Sequence, residues 1–130
     1  MPPTTGRHDE RGAAIADFTM VSVLVVVLFV AVVQLGLALY TRNLLVSCAS
    51  EGARLGARAD AAAGQGVSRT QSLISQSLSA SYARHVTSRE TTVDGVRVVE
   101  VRVVAPVPVL GLIGPDERLD VVGRAFLEAQ

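Results

Sequence analysis

Hydrophobic and polar positions divide the chain into one long uncharged run, one helical stripe and two stretches of alternation. The run covers the 23 positions from Phe18 to Tyr40. About 20 apolar residues, rising about 1.5 Å each, reach across the hydrocarbon of a bilayer, so the run predicts a transmembrane helix. The first dozen residues lack apolar periodicity and are expected to be disordered. From Ala13 to about Ala59 only the isolated Gly36, Gly52 and Gly56 oppose a helix, each by about 1 kcal/mol. The pattern therefore predicts one continuous helix of roughly 70 Å, part span and part protruding stem.

Ala61 to Gly66 is rich in Ala and Gly and predicts the end of that helix. Ser68 followed by Gln71 has the spacing of a capping box for a second helix, with Val67 just before the cap. Ile74, Leu78, Tyr82 and Val86 recur four apart and give it one narrow apolar stripe.

After Thr87 the period becomes two. Thr91 to Val93 and Val96 to Val104 flank Asp94-Gly95, a dipeptide suited to a type I′ hairpin turn. Arg97, Val99, Val101 and Val103 share one face of the second strand, and Glu100 and Arg102 share the other. Pro106 and Pro108 stop the ladder, and Leu110 to Ile113 form an apolar loop before Gly114-Pro115-Asp116. A third strand follows from Arg118, with Leu119, Val121, Ala125 and Leu127 on one face and Arg118, Asp120, Arg124 and Glu128 on the other. Three short strands bury little alone, so the stripe of the second helix is the expected cover.

The chain has 130 residues, enough for one small domain outside the membrane. Twelve acids balance twelve bases, none of them Lys, which leaves no electrostatic footprint for nucleic acid. Cys48 is the single cysteine, so no intrachain disulfide is possible. Arginines flank the span on both sides and leave its orientation undecided by charge.

Asp17 stands at the start of the uncharged run. A carboxylate carried to a bilayer centre costs about 2.5 to 3.5 kcal/mol, and less near a helix end, where the helix dipole favours it. Headgroup placement alone accounts for it. The order Gly12, then Ala13 to Ala16, then Asp17-Phe18, however, resembles the leader junction of type IV pilin precursors, whose pattern is Gly, four residues, Glu and Phe. The resemblance implies that a membrane-embedded aspartyl prepilin peptidase cuts between Gly12 and Ala13 on the cytoplasmic side. Asp17 would then pair with the new α-amino group of a neighbouring subunit, strengthened by low dielectric. Asp17 is one methylene shorter than the family's Glu, and no proline lies near Ser22 and Val23, where many relatives have one.

Asn43 through Ala59, with Ala49-Ser50-Glu51-Gly52-Ala53-Arg54 and Gly56-Ala57-Arg58-Ala59, is similar to the segment after the span in TadE-like proteins. These are minor pilin-like components of the tight adherence, or Flp, pilus system. The run from Val98 to Leu127 resembles the tail of actinobacterial TadE-like chains. The family implies as partners the lipid bilayer, the prepilin peptidase, other minor pilin-like proteins and the Tad inner-membrane platform.

Other candidates have plainer readings. Leu45-Val46-Ser47-Cys48 matches a lipobox, but Thr41, Arg42 and Asn43 interrupt its approach and the preceding 47 residues are long for a leader. Cys48 is expected to be a small packing residue. Gly52 and Gly56 have small-xxx-small spacing that lets another helix approach, and Gln34 can hydrogen-bond to a neighbouring helix or equally to its own backbone or water. Glu51 with Arg54 or Arg58 reads as an exposed helix pair. His8 and His85 stand without ligand spacing, and no phosphate loop, nucleophile elbow or zinc pattern occurs. No catalytic, metal or cofactor site is expected.

The expected fold is α+β: a transmembrane helix and stem, then one amphipathic helix on a three-stranded antiparallel sheet. The expected segments are a cytoplasmic leader over 1–12, the helix and stem over 13–60 and an extracytoplasmic domain over 67–130. The expected function is structural, in assembly of a Tad/Flp (type IVb) pilus. The competing reading is an uncleaved, signal-anchored binding module of a cell-surface or secretion apparatus.

Overall fold

The computed structural model describes residues 7–108 and 118–128, with side chains from residue 10 onward. The chain divides into two compact units, Met1–Gly36 and Leu37–Gln130. The apolar loop expected over Leu110 to Ile113 and the turn at Gly114-Pro115-Asp116 lie outside the described residues.

A single helix, α1, runs over Arg7–Gly56. It begins before Ala13, so residues from Arg7 onward are helical where disorder was expected. Glu10 in its first turn suits the positive end of the helix dipole. Within Met1–Gly36, α1 exposes its large apolar side chains, among them Phe18, Leu24 and Phe29. It is long and apolar enough to cross a membrane by length and composition, as a single-pass membrane protein requires.

The unit Leu37–Gln130 contains the end of α1, then α2 over Gln65–Ser77, a 3-10 turn over Ala80–Ala83, and strands β1 (His85–Val93), β2 (Val96–Pro106) and β3 (Arg118–Phe126). The strands form an antiparallel sheet in the order β1-β2-β3. Asp94 and Gly95 both take positive φ, 51° and 79°, as the expected type I′ turn requires. That turn sets Val93 opposite Val96 and thereby fixes the β1–β2 register. β1 starts at His85, earlier than its alternation suggested.

Two expectations about α2 fail. It starts at Gln65, not Ser68. Gly64, in the left-handed conformation at φ 79°, turns the chain into it, and the Gln65 side chain accepts a hydrogen bond from the Ala62 amide at 3.1 Å. Ser68 lies inside the helix, and the Gln71 side chain donates to the Ala83 carbonyl at 3.3 Å, fastening α2 to the 3-10 turn. The helix then ends at Ser77, with Leu78 at φ −124° and ψ −96°. Tyr82 therefore lies in the 3-10 turn and Val86 in β1, and the four-residue spacing does not continue one helical stripe.

The core explains why these elements meet. Ile74 of α2 is fully buried, as expected of a helix that covers the sheet, with Val99, Val101, Val103, Ala105 and Val121. The cover is shared, however: Leu45, Cys48, Ala49, Ala53 and Ala57 of α1 are buried in the same core. These α1 positions recur three and four apart and make one helix face. Each fully buried valine contributes about 1.5 to 3 kcal/mol relative to exposure.

Candidate functional site

The first unit carries the residues singled out at the span's entrance. Gly12, Ala13, Asp17 and Phe18 all lie on exposed surface of α1, with Phe18 74% accessible. A Cβ built at Gly12 would meet nothing within 4 Å. Two hydroxyls within the apolar run are satisfied by the helix itself: Thr19 donates to the Ile15 carbonyl at 2.8 Å and Ser22 to the Phe18 carbonyl at 2.7 Å. Such i−4 bonds spare a hydroxyl its cost in lipid. Gln34 lies further along the same helix and is half-buried. The concave surface along Ala16, Met20 and Val27 belongs to the side of one helix.

In the second unit, Gly52 and Gly56 face α2 of the same chain. A Cβ at Gly52 would collide with the Thr70 hydroxyl and stand 2.6 Å from the Gly66 carbonyl oxygen. One at Gly56 would lie 3.5 Å from the Gly66 Cα, and one at Gly66 would lie 2.7 Å from the Gly52 oxygen. Three glycines thus bring two helix backbones together. Thr70, fully buried, donates to the Gly66 carbonyl at 2.8 Å and is also near the Cys48 carbonyl at 3.5 Å. On its other side α1 meets β3, where a Cβ at Gly123 would collide with the backbone of Ala49 and Ser50. The Ala and Gly content of residues 49–57 is therefore a two-sided packing seam.

Its end is tied down by β3. The Glu128 amide donates to the Ala57 carbonyl at 3.0 Å, satisfying a group left over at the helix C-terminus, and the Glu128 carboxylate accepts from the Ala59 amide at 3.4 Å. Arg58 pairs with Asp60 at 3.1 Å, and Glu51 forms no ion pair among the described residues. The expected pairing of Glu51 with Arg54 or Arg58 is thus not made: Arg58 lies beyond the last helical residue, in the turn that carries Asp60, and Arg54, though within the helix, forms no ion pair among the described residues. Cys48 is a free, buried thiol within the packed face, the position of a packing residue.

The sheet face away from α1 carries charge. Cross-strand register places Arg89, Glu100 and Arg124 in one row. Glu100 has only 4% of its side chain accessible and sits between the two guanidiniums, 2.7 Å from Arg89 Nη2 and 2.7 Å from Arg124 Nε. The hydrogen bond from Arg124, helped by that from Arg89 and by both charges, holds the Glu100 carboxyl below its ordinary range against the opposing effect of burial. Nearby, Arg102 pairs with Asp120 through two hydrogen bonds, raising the Arg102 pKa and lowering that of Asp120. Arg97 pairs with Glu90 at 2.6 Å.

Sequence reasoning did not single out Glu100, Arg89, Arg124, Gly66 or Gly123. The first two were open to it: the Asp94-Gly95 turn fixes the register that sets Arg89 opposite Glu100. Among the described residues, no group of three or more His, Cys, Asp or Glu side chains could hold a metal ion. The arrangement is one of packing faces and ion pairs.

Residues 12–54 match the family described as TadE-like protein. The match begins at Gly12 and ends at Arg54, so it takes in the exposed apolar helix and most of the packing seam, 43 of the 130 residues. Comparison with curated proteins finds no match to the chain, and comparison with solved structures finds none either.

Proposed function

We propose that this chain is a TadE-like, pilin-like, single-pass membrane protein that takes part in assembling a Tad/Flp pilus and acts by helix packing, not catalysis. The carrying observation is the family match over residues 12–54, which starts at the glycine of the leader-like junction. The exposed apolar surface of α1 supports a place in the bilayer, and the domain built on Leu37–Gln130 supports a folded module beyond it.

In this reading a prepilin peptidase removes residues 1–12 on the cytoplasmic side and frees Ala13 as the new N-terminus. Gly12 lies within α1, so cutting requires local unwinding, which glycine eases by about 1 kcal/mol relative to alanine. Asp17 then offers its carboxylate to the α-amine of an adjoining pilin-like subunit, and Phe18 helps set helix register. The C-terminal domain is extracytoplasmic, with other minor pilin-like proteins and the Tad inner-membrane platform as partners.

Removing the chain from its cells tests the reading. Surface pili counted by electron microscopy should be lost or sharply reduced while the major pilin stays in the membrane. Pili at wild-type number would contradict a part in assembly.

A further inference from the structure

One end of the unit Leu37–Gln130 faces the membrane edge, and packing fixes which end it is. β3 runs along α1 in the same direction, with Gly123 against Ala49 and Ser50 and the Glu128 amide on the Ala57 carbonyl. α2 runs back the other way, with Gly66 beside Gly56 and Gly52, and Thr70 near the Cys48 carbonyl. The start of β3 and the 3-10 turn after α2 therefore both lie toward the beginning of this unit's helix. At about 3.3 Å per strand residue, Arg118 stands about 16 Å back from Gly123, or about ten helix residues, level with α1 around Tyr40 and Arg42. Thr41 is only 4% accessible, so the folded unit covers α1 down to the residue that follows the uncharged run. A run that leaves the hydrocarbon at Tyr40 sets this end of the unit on the lipid headgroups.

At that end, where β1 and β3 begin and β2 finishes, a cleft of about 200 Å³ is lined by Ser81, Arg84, His85, Val104, Pro106 and Arg118. Among the described residues no carboxylate lines it, and neither Arg84 nor Arg118 has an acid partner. Asp120, in the row of His85 and Val104, is taken by Arg102 through two hydrogen bonds. Arg42, exposed and likewise without an acid partner among the described residues, adds a third guanidinium at the same level. Asp116 and Glu117 precede Arg118 in the sequence; set against both, the three guanidiniums still leave a positive excess. We propose that this cleft binds the phosphate of an anionic phospholipid headgroup. Arg84 and Arg118 hold the phosphate oxygens, which a guanidinium fork matches in pairs. His85 and Ser81 are further donors, and Val104 and Pro106 lie beside the glycerol. The inference rests on the membrane reading of α1 and is independent of pilus assembly and of processing at Gly12.

The test uses the full chain in nanodiscs of phosphatidylcholine alone, or of phosphatidylcholine and phosphatidylglycerol in equal parts. Side-chain NMR reads the cleft, and native mass spectrometry reads the lipid retained after transfer to detergent. Anionic discs should shift the Arg84, His85 and Arg118 signals, and the chain should retain phosphatidylglycerol over phosphatidylcholine. Arg84→Gln and Arg118→Gln, both at exposed positions, should each lower that preference about fivefold. Arg54→Gln, exposed near the other end of the unit's helix, should leave it unchanged, with the same circular dichroism in all variants. An unchanged preference in both cleft variants, an equal loss in Arg54→Gln, or full displacement of the lipid by inorganic phosphate would overturn the proposal. A chain that enters neither nanodisc would overturn the membrane reading, and the site with it.

Discussion

Gly123 of β3 lies against Ala49 of α1 so closely that a Cβ at 123 would stand 2.7 Å from the Ala49 carbonyl oxygen and closer still to its carbonyl carbon. The obstructing atoms are backbone, which cannot rotate aside. Gly123→Ala must therefore shift the helix or the strand, and overpacking of this kind costs about 1 to 3 kcal/mol. The variant should melt several degrees below wild type in detergent, read by far-ultraviolet circular dichroism. Gly95→Ala is a contrasting control: it meets no atom within 4 Å but strains a positive φ, so its loss should be about 1 kcal/mol.

Glu100 predicts an acid sensitivity. Its pKa is lowered on folding, so its contribution is fully present above its ordinary range, about 4.3, and is lost as pH falls through the lower folded value. Urea midpoints should fall between about pH 5 and pH 3 in the wild type and fall less in Glu100→Gln. Removing both Arg89 and Arg124 leaves the buried carboxylate unpaired. Because the two guanidiniums are more than half accessible, we expect a loss of about 2 to 3 kcal/mol, toward the low end for buried pairs.

Cys48 should be inert. With 5% of its surface accessible, it should resist a bulky maleimide in the folded chain and react once the chain is unfolded in detergent. Mass spectrometry should find no acyl chain on it, because lipidation would withdraw the thiol from a closed core. A lipidated Cys48 would contradict the packing described for α1.

Asp17→Ala should leave membrane insertion intact, since removing an exposed acid from an apolar helix only lowers its cost in lipid. If Asp17 pairs with a neighbouring subunit, piliation should nevertheless fall. Fractionation and pilus counts from the same cells separate the two effects.

How far the sequence revealed the fold follows from the strength of each local signal. The Asp94-Gly95 turn and the alternation of Leu119, Val121, Ala125 and Leu127 were legible, because turn chemistry and a period of two leave few alternatives. The start of α2 was not, because Gly64 and the Gln65 side chain do the work assigned to Ser68 and Gln71. Its end was overextended, because Tyr82 and Val86 fit a four-residue spacing by coincidence while the backbone turns at Leu78. The seam was hardest to read. Ala49, Ala53 and Ala57 carry too little apolar surface to mark a core face, and Gly66 and Gly123 gain meaning only when another backbone is seen against them. At the span's entrance, the Gly12 to Phe18 order was visible in sequence, and the structure adds its helical, exposed setting.

The central claim is best tested by the N-terminus of the protein extracted from membranes, measured by intact mass and N-terminal peptide mapping in cells with and without the prepilin peptidase. The account predicts a chain that begins at Ala13 only where the peptidase is present. Residues 1–12 retained in both strains would contradict entry into the pilin pathway and leave an anchored binding module in its place.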